Sequence, residues 1–358
     1  GTEITSTAAE LNLLSGATSL GTGILEPVTE GGNTGVRLSS SDAANHGDIG
    51  SRAVDLSYSD PSSTTRGATG DDSVAMGWDN TASGDRSTAM GWSNTASGSA
   101  STAMGNGTTA SGNISTAMGW SNTASGVGSF AIGYDSNASA QVSTAMGFGT
   151  ISSGNVSTAM GWYTTASGAT STATGRYTTA SDYASVVIGQ YNSSGSTVTS
   201  ADSFSTSAPA FVIGNGADDS NRSDAFKVMF NGDATVSNDL TVNGDVTVSS
   251  DARLKANIVS LGATLSKLLN IDGKTYTVKK NGAQKIGVLA QDIQEVFPEL
   301  VSEDKEGMLS VNYQGLIPVL INALKEQQKE ITRLQAQEKR IESQEERLKA
   351  LERILSKE

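Results

Sequence analysis

The chain has 358 residues, 36% of them hydrophobic and 5% aromatic, with no cysteine, one histidine and a formal net charge of −13. The missing cysteines exclude a disulfide framework, thiol catalysis and thiolate metal sites, and a single histidine, His46, argues against a multi-histidine metal centre or a histidine-dependent triad, so no metal and no cofactor is expected. Residues 251–358 carry 17 Lys+Arg against 16 Asp+Glu, which leaves 7 basic and 21 acidic residues in 1–250, a body too acidic to bind nucleic acid or anionic lipid.

The sequence starts at Gly1 rather than Met, which reads as a fragment or a processed product. No run of eighteen apolar residues occurs, so membrane insertion is not expected. Residues 1–56 read as an irregular shaft or connector. Within them Thr7–Gly16 has a helix-start pattern with an apolar face and resembles a recurrent element of phage tail-fibre shafts. Ala53-Val54-Asp55-Leu56 reads as a strand. His46 has no acidic or histidine neighbour at ligand spacing and is expected at the surface.

A fixed period governs the next segment, 57–192. Ser73-Val74-Ala75-Met76-Gly77 recurs from Ser87, Ser101, Ser115, Ser129, Ser143, Ser157, Ser171 and Ser185, nine units at a spacing of fourteen. Most carry Ala-Ser-Gly seven residues after the first Ala. So short a period implies a solenoid whose units stack, because one unit cannot bury its own apolar face. Gly, Ser and Thr disfavour helix, and each unit offers two short extended stretches between glycine-containing corners. Stacked coils should lie about 4.8 Å apart, so nine span roughly 40 Å. The third position is Ala in eight of nine units, small enough for a narrow interior. The fourth (Met76, Met90, Met104, Met118, Ile132, Met146, Met160, Thr174, Ile188) forms an outward apolar stripe, which burial against sister chains would cover. These motifs resemble the head repeats of trimeric autotransporter adhesins. The resemblance implies a homotrimeric, left-handed parallel β-roll.

Six units carry a ring at the sixth position: Trp78, Trp92, Trp120, Tyr134, Phe148 and Trp162. Rings one coil apart stack naturally; the same six are also the candidate residues for a host receptor, as a ladder for glycans. Asn80, Asn94 and Asn122, two positions on, read as a polar ladder, with ligand binding the other possibility.

Residues 193–250 lose the repeat but stay β-like. Phe211–Gly216 and Ala225–Val228 are strand candidates, and Leu240, Val242, Val246 and Val248 alternate with polar residues about an Asn243-Gly244 turn. Single apolar faces suit three chains wrapped into a β-prism or triple-β shaft ending at Ser250.

Beyond Ser250 the chemistry changes. Leu261, Leu265, Leu268 and Leu269 have helical spacing. A hairpin follows about Asn281-Gly282, then a helix from Gly287 closed by Pro298, a strand over 308–313, and a long charged helix from about Leu316, with Pro318 tolerated in its first turn. Leu334, Ile341, Leu348 and Leu355 recur every seven residues, the mark of a left-handed coiled coil, although the second seam is poor. The fold class is mainly β, followed by an α+β segment over 251–323 and a long helix over 324–358.

Ser250-Asp251-Ala252-Arg253-Leu254-Lys255-Ala256-Asn257-Ile258, together with Gly287-Val288-Leu289-Ala290-Gln291-Asp292-Ile293-Gln294-Glu295-Val296-Phe297-Pro298-Glu299-Leu300-Val301, resembles the endosialidase-type intramolecular chaperone that ends many phage tail spikes and fibres. The resemblance implies a trimeric chaperone that aligns three chains and then cuts itself off between Ser250 and Asp251, with Ser250 as nucleophile and Lys255 as base. Taken alone, Ser250, Asp251 and Lys255 read first as a helix cap; the downstream motif and the compositional boundary turn the reading to cleavage. With no cysteine and no nearby histidine, only a lysine can serve as base. A lysine at its ordinary pKa of about 10.4 cannot accept a proton near neutrality, so the pair needs burial, which assembly of three chains would supply. A hydroxyl attacking its own residue's carbonyl closes a strained four-membered ring. Attack from a neighbouring chain, or by the Asp251 carboxylate through a six-membered ring, is sterically easier.

The expected function is a homotrimeric phage tail fibre or spike that meets a glycan or protein receptor on the host, sits in the virion tail, joins the tail or baseplate through a region before Gly1, and is made in the host cytoplasm. Its only enzymatic act would be one self-cleavage. A bacterial trimeric surface adhesin is one alternative, set against a chain that ends in a charged helix instead of membrane strands. A glycan-degrading spike is another; it needs paired carboxylates, whereas the repeats hold acids only sporadically (Asp79, Asp85, Asp135, Asp182).

Overall fold

The structure is a computed structural model that describes residues 24–279, 282–304 and 307–356. The predicted Thr7–Gly16 element lies outside these residues, as does Asn281 of the predicted turn. The chain divides into two compact units, 1–244 and 245–358.

The first unit is a β-solenoid. Long strands, one per coil, pair in parallel and in register, so that Ala75 faces Ala89, Met76 faces Met90 and Trp78 faces Trp92. Two-residue strands, from Gly67–Ala68 to Thr179–Ala180, build a second, nine-stranded sheet. The period of fourteen is the cause: it sets identical residues above one another and satisfies each strand's backbone through its neighbours. The roll exceeds the nine repeats by a coil at each end, with Val54–Tyr58 parallel to Val74–Trp78 and Pro209–Asn215 parallel to Val186–Gln190. An antiparallel hairpin, Leu25–Glu30 with Asn33–Leu38, precedes it.

The interior is a double column of fully buried alanines, among them Ala75, Ala89 and Ala103 from the long strands and Ala82, Ala96 and Ala110 from the short ones. Close approach also fixes the fifth position of each unit. Gly105 has φ +126°, and a Cβ there would run into the Gly119 carbonyl oxygen of the next coil. The corners differ from expectation, because glycine does not always occupy them. Ala100, Ile114, Val142 and Val156 hold positive φ of 55–60°, at roughly 1–2 kcal/mol each for an L-residue. Hydrogen bonds between coils hold them there: Ala100 N–H donates to Asp85 O and Ile114 N–H to Ser99 O, both at 2.8 Å. The stack dictates the backbone, so local preference is overruled.

After the roll, Asp224–Met229 and Ala234–Val236 extend the sheet antiparallel. The chain bends at Asn243-Gly244, but no strands flank the bend: residues 239–250 hold no strand, and Leu240, Val242, Val246 and Val248 are exposed. One chain alone offers their single apolar face nothing to pack on, and an unpaired two-stranded ribbon is marginal in water.

The second unit has a small core. The expected helix about Leu261–Leu269 shrinks to one turn, α1 (Leu265–Leu268). A hairpin of Lys274–Thr277 with Gln284–Gly287 follows, then α2 (Ala290–Val296), a second hairpin of Val301–Glu303 with Leu309–Val311, and α3 (Leu316–Leu355). Ile293, Phe297 and Val319 form the buried cluster, with Leu268, Ile271, Leu300 and Val311 packed around it. Thr264 ties α1 to α3: its hydroxyl donates to Val319 O at 2.9 Å, and its N–H donates to the Glu326 carboxylate. From Gln327 onward every described residue of α3 is exposed, including Leu334, Ile341, Leu348 and Leu355.

Candidate functional site

Ser250 and Lys255 are brought together. Residues 252–254 form a single 3-10 turn, which folds the chain back so that residues five apart meet, and Lys255 Nζ donates to Ser250 Oγ at 2.7 Å. Asp251 starts the turn. Its Oδ1 accepts from Arg253 N–H at 2.8 Å, and the Arg253 guanidinium grips both carboxylate oxygens at 2.7–3.2 Å. The Arg253 side chain first, then its N–H, hold the Asp251 carboxyl below the usual carboxylate range. Asp251 is therefore both the cap of the turn and the residue after the expected scissile bond.

The pair is exposed in a single chain, with the amine donating. General-base catalysis needs the reverse, a neutral amine accepting the hydroxyl proton. The surroundings are bare as well: Leu254 is 74% exposed, Ile258 68% and Val259 85%. Three large apolar side chains beside a candidate dyad, uncovered in one chain, make a surface that a partner would bury.

The aromatic column lies on the outer face of the long strands. Trp120, Tyr134, Phe148 and Trp162 form a continuous stack with centroids 4.8–5.9 Å apart, Tyr134 and Phe148 being parallel to within 3°. Trp78 instead leans on Tyr58 at 4.7 Å, a ring twenty residues back that the fourteen-residue spacing does not reach. A second column the sequence reading missed, Tyr163, Tyr177 and Tyr191, stacks at 4.8–5.1 Å, with Arg176 and Arg222 over the Tyr191 ring. The residues Asn80, Asn94 and Asn122 are fully buried and structural. Asn94 Nδ2 donates to Met90 O and Gly105 O at 2.8 Å, while its Oδ1 accepts from Thr108 N–H at 2.9 Å. The polar ladder is the correct reading of these three.

His46 corrects an expectation. It is buried, not superficial, with Nδ1 2.8 Å from Asp55 Oδ2. Asp55 occupies the strand position that Ala75 fills in the next coil, so the first coil carries a carboxylate in the alanine column. Ser57 Oγ donates to Asp55 Oδ1 at 2.5 Å, Arg37 Nε lies 3.4 Å from Oδ2, and Arg37 is itself clamped by Glu30 at 2.7 and 2.9 Å. Burial pushes the Asp55 carboxyl up, but the hydrogen bonds from His46 and Ser57 outweigh it and hold Asp55 below its ordinary value. Spacing along the chain hid this cluster, because nine residues separate His46 from Asp55. The repeat's register does not reach it either, because twenty residues, not fourteen, separate Asp55 from Ala75. Among the described residues no group of three or more potential ligands gathers as a metal site.

Residues 250–302 match the family described as chaperone of endosialidase. Seven stretches between residues 68 and 192, the last six overlapping, match the YadA head domain repeat. The long tail fiber protein Gp37 of Escherichia phage AR1 is 36% identical over 84 residues, 21% of this chain and 8% of that protein. The chain thus spans a small part of that relative's length. Both motif resemblances hold over these ranges, and the chain joins a roll of YadA-type head repeats to an endosialidase-type chaperone segment.

Proposed function

We propose that the chain is part of a homotrimeric tail fibre or spike of a phage or phage-like particle, whose roll meets the host surface and whose C-terminal unit assembles the trimer and is then released by cleavage between Ser250 and Asp251. The observation that carries this reading is the 2.7 Å contact of Lys255 Nζ with Ser250 Oγ, set at the first residues of the chaperone match and beside apolar side chains that lack cover in one chain. The particle's tail is the proposed location. The head repeats also suit a bacterial surface adhesin; the chaperone segment in the same chain favours the fibre.

In the proposed step, association buries the pair and strips a proton from Lys255. The amine takes the hydroxyl proton as Ser250 Oγ of a neighbouring chain attacks the Ser250 carbonyl carbon. The C–N bond to Asp251 breaks, the lysine returns the proton to the Asp251 nitrogen, and water hydrolyses the ester. Serine is favoured over Asp251 as nucleophile, since a carboxylate gripped by Arg253 has its lone pairs engaged.

Denaturing electrophoresis tests the reading. Wild type should give fragments 1–250 and 251–358, whereas Ser250→Ala and Lys255→Ala should stay full length, cleavage falling by roughly a thousandfold or more. Chains held monomeric by dilution should not cut; cutting at an undiminished rate would refute attack between chains.

A further inference from the structure

The aromatic column is broken once between rings, at Asn106, which pairs with Trp120 in the register of the long strands and stands where Trp92 stands one coil earlier. We propose that this missing rung is a binding slot for one hexopyranose of a surface glycan, in which Trp92 and Trp120 sandwich the sugar and Asn106 forms the floor. The inference rests on the reading that the roll meets the host surface, and it names the ligand class.

The spacing selects the occupant. Coils about 4.8 Å apart leave roughly 9.6 Å between the strands carrying Trp92 and Trp120. A ligand in contact with a ring on each face needs about 8–9 Å between ring planes if it is a chair-shaped sugar, and about 7 Å if it is itself flat. The gap is too wide for a planar base and suits a saturated ring. Within this column Tyr134 and Phe148 stack face to face at 4.8 Å, while Trp78 is tilted by 43° on Tyr58. Trp120 leans on Tyr134 on one side only, at 5.9 Å and 31°, and Trp92 stacks on no ring among the described residues. The two are also the most exposed of the four tryptophans, at 59% for Trp92 and 53% for Trp120.

The floor is polar and open. Asn106 is half-buried, and its side-chain amide has no hydrogen-bond partner among the described residues, in contrast to the fully bonded Asn94. A half-buried amide with both donor and acceptor free favours a ligand with hydroxyl groups. Beside it, a Cβ on Gly107 would meet only Ser121 Oγ, at 3.7 Å. A sandwich also constrains stereochemistry, since both faces of the sugar must be C–H surfaces. That holds for a β-hexopyranose with every substituent equatorial, the gluco configuration. An axial hydroxyl, on carbon 4 in the galacto series or carbon 2 in the manno series, would be pressed onto an indole without a partner.

The full-length protein is titrated with methyl β-D-glucopyranoside and followed by saturation-transfer NMR with irradiation of aromatic protons. Protons on both sugar faces, H1, H3 and H5 on one and H2 and H4 on the other, should gain comparable saturation. The Kd should be on the order of millimolar, as befits one sugar ring, and methyl β-D-galactopyranoside should bind at least about tenfold more weakly. Asn106→Trp restores the missing rung within a stack the fold already tolerates, and should abolish the signal, whereas Tyr58→Ala, at an exposed ring outside the six candidate residues, should keep it. No saturation in wild type, saturation of one face only, equal binding of both sugars, or an unchanged signal in Asn106→Trp would each overturn the slot. Adsorption to bacterial cells separates the two readings: fibres that adsorb without binding the glucoside refute the slot and leave the receptor role standing.

Discussion

At the scale of residues, the roll depends on side chains that do for the backbone what a wider core would do by bulk. Asn94 spans three coils with one amide, and truncating it strands two carbonyls and an N–H in the dry interior. Asn94→Ala should cost about 2–4 kcal/mol in chemical denaturation, while Ser93→Ala, next to it and exposed, should change stability by less than about 0.5 kcal/mol. The Asp55 cluster makes an equally local prediction about pH. Its carboxyl is held below the ordinary value in the fold, so the stability it contributes is complete above the unfolded pKa of about 3.9 and drains away as pH falls through the lower folded value. Thermal unfolding of the wild type should lose midpoint steeply below about pH 4, and Asp55→Asn should flatten that loss. Residue identity made the alanine column and the asparagine ladder legible, because each recurs in phase. Asp55 and His46 were not legible, since neither repeats and only folding makes them neighbours.

Among elements, the coil is the unit of construction and the period is its grammar. Each coil is bonded only to the one before and the one after, so removing one whole period should leave every remaining register intact. Deletion of residues 158–171 should give a folded roll of unchanged β content, with a modestly lower unfolding midpoint in circular dichroism. Deletion of seven residues, 158–164, should abolish cooperative unfolding, because long strands would then face short ones. The second unit reads differently. Its first hairpin and its longer helices were visible in turn residues and helical spacing; of the second hairpin only the return strand was, and the extent of α1 was not. Leu261 keeps helical spacing with Leu265, yet the turn closes around Thr264, whose hydrogen bonds to α3 fix where the helix begins. Spacing finds a helix face; it does not find the tertiary contact that ends it. The bare last stretch of α3 follows the same logic, since a helix with no tertiary cover lacks the packing that usually stabilises helices.

For the molecule as a whole, the proposed cut would change the meaning of stability. An intact chain could refold with its C-terminal unit attached; a cut fibre could not, so its endurance becomes an unfolding rate and not an equilibrium. The in-register stacking of near-identical coils explains why such help would be needed at all. Ala75 pairs as well with Ala89 as Ala89 does with Ala103, so any coil of one chain resembles any coil of another. Sliding by fourteen residues leaves almost every contact satisfied, and the repeats themselves keep no count. The largest breaks in the tie are at the ends: the buried carboxylate of Asp55 at one, the tyrosines and arginines around Tyr191 at the other. A periodic rod is easily lengthened by evolution and as easily misaligned during folding, and its zero mark has to be supplied from outside the repeat.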